Sequence, residues 1–132
     1  MSQRRTLRTR IRDPAALTAA CARLGLSQPR PADIRHDNGP ADRRAVLLSE
    51  PPIPVVIDLQ TGAVTWVTEE ADESLFLELC RLLQAYACEA ANREALRRGR
   101  IFQEQTLDDG SILIRLLPGK HPSSQDLIRK EL

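Results

Sequence analysis

The chain is poor in the residues from which catalytic, metal and cofactor sites are usually built. Aromatic residues make up 3% of its 132 residues, and its two histidines and three cysteines include neither a Cys-x-x-Cys pair nor metal-ligand spacing. Phosphate-binding glycine motifs of the Gly-x-Gly-x-x-Gly or Walker type are also missing. We therefore expect no catalytic residues, no metal and no cofactor, and a chain that is not an enzyme.

Long apolar runs are missing as well. No stretch approaches the ~18 to 20 consecutive apolar residues that a membrane span needs, and arginines fill the start of the chain. The 42% apolar and 28% charged residues, with a mean hydropathy of −0.33, are typical of a globular domain. Three cysteines without a disulfide pattern suit a reducing compartment. These features predict a cytoplasmic protein without membrane contact.

Charge is distributed unevenly along the chain, although the net charge is only +1. Residues 1–44 carry ten Arg against four Asp, a net charge of +6. Residues 45–132 carry nine Lys or Arg against fourteen Asp or Glu, a net charge of −5. Such asymmetry favours a partner of opposite charge, or pairing between the two parts within the fold or a dimer.

Two elements are predicted before residue 26. Alternation of apolar or small residues with arginine over Thr6–Arg12 predicts a strand with one buried face. Asp13-Pro14 supplies an N-cap and a proline at the first helical position, and Gly25 ends the helix. Residues 27–43 are rich in proline and predict a loop with at most a short edge strand near Ile34.

The middle of the chain predicts a set of short strands. With Thr61-Gly62 as a two-residue turn, Ile57 falls opposite Trp66 in a hairpin. The only tryptophan is therefore predicted to be a core residue. The three predicted strands are Ala45–Ser49, Val55–Leu59 and Ala63–Thr68.

A long helix is predicted over Glu73–Arg98, with a length of ~38 Å at about 1.5 Å per residue. Cys80 and Cys88 lie on this helix, and we expect both to be small apolar packing residues. The apolar residues form one stripe, which consists of Leu75, Leu79, Leu82, Leu83, Tyr86, Ala87 and Ala90.

A second β-hairpin is predicted near the end of the chain, with strands at Ile101–Leu107 and Ser111–Leu117. Asp109-Gly110 as its turn would place Glu104 opposite Arg115. The last strand is apolar on both faces, so we expect it to lie inside the sheet rather than at its edge.

Together these elements predict a single α+β domain at residues 1–118 and a tail at residues 119–132 that holds at most a short helix. The predicted order is β-α-β-β-β-α-β-β. Its sheet is mainly antiparallel, has about five to six strands, and carries two helices packed on it.

Three stretches carry a resemblance to a known family. They are Leu7-x-Thr9-x-Ile11-x-Asp13 with a following helix that ends at Leu24-Gly25, the run 84–87, and Glu104-x4-Asp109-Gly110-Ser111-Ile112. In this order they resemble the hypothetical chloroplast open reading frame thirty-five family, small plastid, cyanobacterial and bacterial proteins of unknown function. The resemblance implies an α+β fold and a cytoplasmic or stromal location. It also suggests a partner ATPase of the AAA class, and it brings no established reaction.

Two functions stay open at this point. We expect a non-catalytic protein-interaction module or adaptor, whose partner is an ATPase, another protein or a second copy of the chain. The alternative is weak binding of nucleic acid without sequence preference, since alternate arginines of the first strand would project toward phosphates. The scarcity of aromatic residues disfavours it, because bases have little to stack on. The candidate contacts for either partner are Arg8, Arg10, Arg12, Arg97 and Arg98.

Overall fold

The computed structural model describes residues 3–32, 42–68 and 73–118. Within them, two helices and two antiparallel sheets form an α+β fold, which confirms the predicted class. The elements in chain order are β1 (Gln3–Arg8), α1 (Pro14–Arg23), β2 (Arg30–Pro31), β3 (Arg43–Leu48), β4 (Ile53–Asp58), β5 (Ala63–Thr68), α2 (Glu73–Arg97), β6 (Ile101–Thr106) and β7 (Ile112–Leu117).

The predicted order lacks one strand. β2 contains only two residues and pairs with β3 at the end of the larger sheet, whose order is β1-β5-β4-β3-β2. The sequence predicts at most a short edge strand in the proline-rich loop, near Ile34. Ile34 lies outside the described residues. Pro31 fits an edge position because a proline has no N–H to donate to a further strand.

These elements belong to two compact units, Met1–Glu89 and Ala90–Leu132. The first unit contains the five-stranded sheet, α1 and most of α2. The second contains the end of α2 and the β6-β7 sheet. The predicted boundary between residues 118 and 119 stays a prediction, because the tail lies outside the described residues.

The first strand begins and ends earlier than Thr6–Arg12, the predicted range. The reason lies at Thr9, whose hydroxyl donates to the Gly62 carbonyl at 2.6 Å and accepts from the Ile11 N–H at 3.1 Å. These two bonds bend the chain out of the sheet after β1. Ile11 then enters the core at 1% exposure.

Helix α1 forms as its sequence predicts. Asp13 Oδ1 accepts from the Ala15 and Ala16 N–H groups at 3.0 and 3.3 Å, and Pro14 opens the helix. At the other end Gly25 has a φ of +71°, and the Leu26 N–H donates to the Cys21 carbonyl at 2.9 Å. The helix buries Ala16, Leu17, Ala20 and Cys21.

The core of the first unit lies between the two helices and one face of the sheet. Alternate strand residues are buried, because successive side chains of a strand point to opposite faces. Those buried to 1% exposure or less are Val46, Leu48, Val55, Ile57 and Val64. The residues of α2 that complete this core are Leu75, Leu79, Leu82, Ala85, Tyr86 and Cys88.

The predicted stripe of α2 is confirmed for four of its seven residues, Leu75, Leu79, Leu82 and Tyr86, which are buried, and the helix ends one residue earlier than expected. Three members of the expected stripe depart from it. Leu83 and Ala90 are only half-buried, and Ala87 is exposed.

Tyr86 connects α2 to the segment between β1 and α1. Its phenolic oxygen accepts hydrogen bonds from the backbone N–H groups of Arg12 and Asp13, both at 3.0 Å. Both donors lie where the chain has left the sheet and the helix ladder has not begun, so no regular partner exists for them. One side chain therefore satisfies two backbone groups and holds three elements together.

The β4-β5 register differs from the predicted one by two residues. Ile57 lies opposite Val64, not opposite Trp66, because the loop has four residues, 59–62, and the Gly62 N–H donates to the Asp58 carbonyl. A shift of two residues keeps every side chain on its predicted face. The prediction of Trp66 as a core residue is wrong, since this side chain is only half-buried and lies opposite Arg5 of the edge strand.

The second hairpin is confirmed, but its register is displaced by one residue. Gln103, and not Glu104, lies opposite Arg115. The turn has three residues rather than two, since the Gly110 N–H donates to Leu107 and the Leu107 N–H donates to the Ser111 carbonyl. The last strand is not inside a larger sheet, because β7 pairs only with β6 among the described residues.

Gly62 is the position where a side chain would disturb the fold most. Its φ is +80°, and a Cβ atom there would lie 2.0 Å from the Thr9 carbonyl oxygen. We expect Gly62→Ala to lower the free energy of unfolding by about 3 kcal/mol or more, because backbone strain and overpacking add. Gly25→Ala is the matched control, with a similar φ and open space, and should cost about 1 to 2 kcal/mol. Equal urea midpoints for the two variants would contradict the close approach.

Tyr86→Phe keeps the aromatic ring and removes only the acceptor of two backbone hydrogen bonds. We expect the free energy of unfolding to fall by about 2 to 3 kcal/mol, because two N–H groups lose their partner. Chemical denaturation followed by circular dichroism measures the change. An unaltered midpoint would mean that water replaces the hydroxyl at no cost.

Candidate interaction surface

The sheet of the first unit has one face that the helices do not cover, which we call the open face. The register places Arg4, Thr6 and Arg8 of β1 on this face, since they lie opposite Val67, Thr65 and Ala63. The same face continues over alternate residues of β4 and β3, which are Pro54, Val56, Asp58, Arg43, Ala45 and Leu47.

A shallow concavity of about 320 Å³ lies on the open face. Its floor is built from small or β-branched residues, among them Val56, Ala63 and Thr65. Val67 is 55% exposed beside it, which is unusual for a valine of a strand. A partner that covered this floor would bury apolar surface.

Arginines stand on both sides of the concavity. Arg43 pairs with Asp58 across the β3-β4 ladder, with 3.9 Å between guanidinium and carboxylate, and both side chains are largely buried. Arg4 and Arg8 of β1 are exposed, and neither forms an ion pair with any described residue. The β1 side of the open face therefore presents positive charge that no described residue neutralises.

The structure separates the five arginines that the sequence predicts as contacts. Arg8 lies on β1 and faces the open side of the sheet. Arg10 and Arg12 are exposed but follow the strand, in the segment held by Thr9 and Tyr86. Of Arg8, Arg10 and Arg12, only Arg8 therefore belongs to a regular row along the strand.

Arg97 and Arg98 belong to the second unit, and both are paired. The two carboxylate oxygens of Glu94 accept one guanidinium each, at 2.8 Å. This arrangement neutralises part of their charge within α2 and its C-terminal turn. Arg4 and Arg43, which flank the concavity, were not among the predicted contacts. The sequence contains a signal for Arg4, because the alternation of side chains along a strand places Arg4, Thr6 and Arg8 on the same face.

The outer edge of β1 presents backbone hydrogen-bonding groups. Thr9 lies opposite Gly62 and donates its N–H to the Gly62 carbonyl at 2.9 Å, so odd-numbered residues of β1 point their backbone groups toward β5. The N–H and C=O groups of Arg4, Thr6 and Arg8 consequently point away from the sheet. No described strand pairs with this edge.

A second concavity, of about 410 Å³, lies on the opposite face beside the same edge strand. We call it the aromatic pocket, because Trp66 and Phe76 line it together with Leu7. Phe76 is 53% exposed, although phenylalanine is usually buried. Arg5 and Glu73 supply the charged groups of the lining, so one cation and one carboxylate stand beside a mainly apolar pocket.

Two cysteines are buried and one is exposed. Burial raises the pKa of the Cys21 thiol to about 11. Burial is also the main cause that raises the pKa of Cys88, against the opposing effect of the Arg23 guanidinium. The prediction of an apolar packing residue is therefore confirmed for Cys88 and wrong for Cys80, which is exposed on α2.

Other kinds of site are not found in the described part of the chain. No group of three or more His, Cys, Asp or Glu side chains there could hold a metal ion. None of the helices described is long and apolar enough to cross a membrane. His36 and His121 lie outside the described residues.

Comparison with known proteins finds no family model, no curated protein and no solved structure that matches the chain. The resemblance to the hypothetical chloroplast open reading frame thirty-five family stays a prediction.

Iodoacetamide should modify Cys80 alone when it reacts with the native protein at about pH 8. The thiolate is the reactive species, and burial both shields Cys21 and Cys88 and raises their pKa values. Mass spectrometry of tryptic peptides measures the modified fraction of each thiol, and the urea-unfolded chain, in which all three should react, is the control. Modification of Cys21 in the native protein would contradict the described core.

Proposed function

We propose that the chain is a non-catalytic protein-interaction module that binds an acidic protein surface through the β1 side of its open face. The observation that carries this proposal is the pair Arg4 and Arg8, exposed and without ion pairs among the described residues, beside an apolar concavity. Charged groups around an apolar centre are the usual anatomy of a protein interface. Carboxylates of the partner would meet the arginines while its apolar side chains cover Val67 and Thr65.

A second copy of the chain fits this face less well. Two open faces packed together would enclose the unpaired Arg4 and Arg8 of both chains in one interface without surplus carboxylates from described residues to meet them, and like charges at an interface are costly. The paired Arg43 and Asp58 add no net charge to relieve this repulsion. An acidic partner has no such penalty, because it neutralises the surplus. An ATPase of the AAA class as that partner rests on the family resemblance alone.

Nucleic acid remains the alternative function, since phosphates also suit exposed arginines. The side chains of the open face disfavour nucleic-acid binding. They are aliphatic, small or charged, whereas sheets that bind single strands stack bases on aromatic rings. A single aromatic residue, Trp66, lines the concavity of the open face, and it also lines the aromatic pocket on the other face together with Phe76.

Charge reversal at the proposed surface separates these functions. The tagged chain is used to capture partners from the cells that express it, and Arg4→Glu/Arg8→Glu is compared with the wild type. We expect the amount of a captured acidic protein to fall by about tenfold or more at ~150 mM salt, because two favourable contacts become repulsive. The matched control is Arg81→Glu/Arg115→Glu, which reverses two exposed arginines on α2 and β7 that are not part of the proposed surface and should capture as much as the wild type.

Fluorescence anisotropy with random single- and double-stranded oligonucleotides completes the test. The proposal expects weak binding that the variant and the control share. Tight binding at ~150 mM salt, with a salt slope that flattens by about one unit per reversed arginine, would overturn the proposal in favour of nucleic acid. Equal capture of an acidic protein by the variant and the wild type would overturn the assigned surface.

A further inference from the structure

We infer that the outer edge of β1 binds an extended acidic peptide segment of the partner, which adds to the five-stranded sheet as a further strand. This inference rests on the proposed function and specifies how the same surface recognises its partner. Three features meet at β1: a row of backbone groups with which no described strand pairs, a row of arginines and a concavity on each face of the sheet.

The backbone supplies the general part of the recognition. Arg4, Thr6 and Arg8 direct their N–H and C=O groups outward, so the edge offers three donors and three acceptors in a regular row. An added strand satisfies such a row with main-chain hydrogen bonds, which is the basis of peptide recognition by β-augmentation. The five-stranded sheet would then have six strands.

The charge of the strand selects which peptide can pair. Charged residues on an edge strand normally discourage the association of two sheets. On the open face all the charges of β1 have one sign, at Arg4 and Arg8. Another copy of β1 or an uncharged strand meets repulsion or buried cations, whereas opposite charges directly across a strand pair stabilise it. The edge thus disfavours pairing with a second copy of β1 and favours pairing with an acidic strand.

The two concavities set the alternation of the peptide. Side chains opposite Arg4 and Arg8 lie on the open face, where carboxylates are favoured. Those opposite Arg5 and Leu7 lie on the other face, beside the aromatic pocket with its exposed Phe76. Since side chains of a strand alternate between faces, the segment that fits best alternates acidic and apolar residues.

A synthetic heptapeptide that alternates glutamate and valine is the probe, with blocked ends. We expect it to bind the full chain and to slow hydrogen exchange of the Arg4, Thr6 and Arg8 amides, which NMR resolves residue by residue. The controls are a peptide of the same composition with its glutamates and valines in separate blocks, and one that alternates lysine and valine. Both should bind at least about tenfold more weakly, since each breaks the charge match on one face.

N-methylation of the peptide tests strand addition without altering the protein. Alternate amides of an added strand face β1, so methylation of one alternate set should abolish binding and methylation of the other should leave it within about twofold. On the protein side, Thr6→Pro removes one outward N–H and should weaken binding by about tenfold. The methylated peptides keep the test decisive if the proline variant does not fold.

Each contrary outcome has a defined meaning. If the alternating peptide does not bind, or if both methylated sets bind equally, strand addition is overturned. The proposed function would still stand on the capture experiment with the Arg4→Glu/Arg8→Glu variant. If sedimentation shows a dimer in which the Arg4, Thr6 and Arg8 amides are already protected, a second copy occupies the edge and the acidic peptide is overturned.

Discussion

The phenolic oxygen of Tyr86 is the contact on which the arrangement of the first unit depends. It accepts both backbone N–H groups at the point where the chain passes from β1 to α1, and it lies on α2. One atom thus holds β1, α1 and α2 together. It lies in a partly buried position, where water competes poorly for the two backbone N–H groups. The contact of Gly62 with the Thr9 carbonyl fixes the other side of the same segment.

These two contacts hold the chain where it leaves β1 for α1. No described strand pairs with the outer edge of β1, so this strand is terminal in the sheet. The helices cover one face, and the other face keeps its arginines, its exposed valine and its shallow floor. The fold that builds the core therefore leaves a polar edge and an open face that no described element covers.

The few aromatic residues lie in two different environments in the structure. Tyr86 serves the core, whereas Trp66 and Phe76 stand together at an incompletely covered corner of the sheet. A tryptophan in a hairpin of aliphatic residues is reasonably predicted to be buried. It is half-exposed because its neighbour across the ladder is Arg5 of an edge strand, a pairing between residues 61 positions apart in sequence.

The helices, the strands of the hairpins and the α+β class are predictable from local sequence, because caps, glycines and apolar periodicity act over a few residues. Asp13-Pro14 and Gly25 bound α1 as predicted, and the spacing of leucines bounds α2 within one residue. The registers, the end of β1 before Thr9 and the separation of β6 and β7 into a sheet of their own depend on contacts between distant parts of the chain. A turn of three or four residues in place of two changes every pair in a ladder, and loop length is set by distant contacts such as Thr9 with Gly62. The arginines were evident from the sequence, but which of them flank an apolar surface depends on which strand is terminal, and that is a property of the whole sheet.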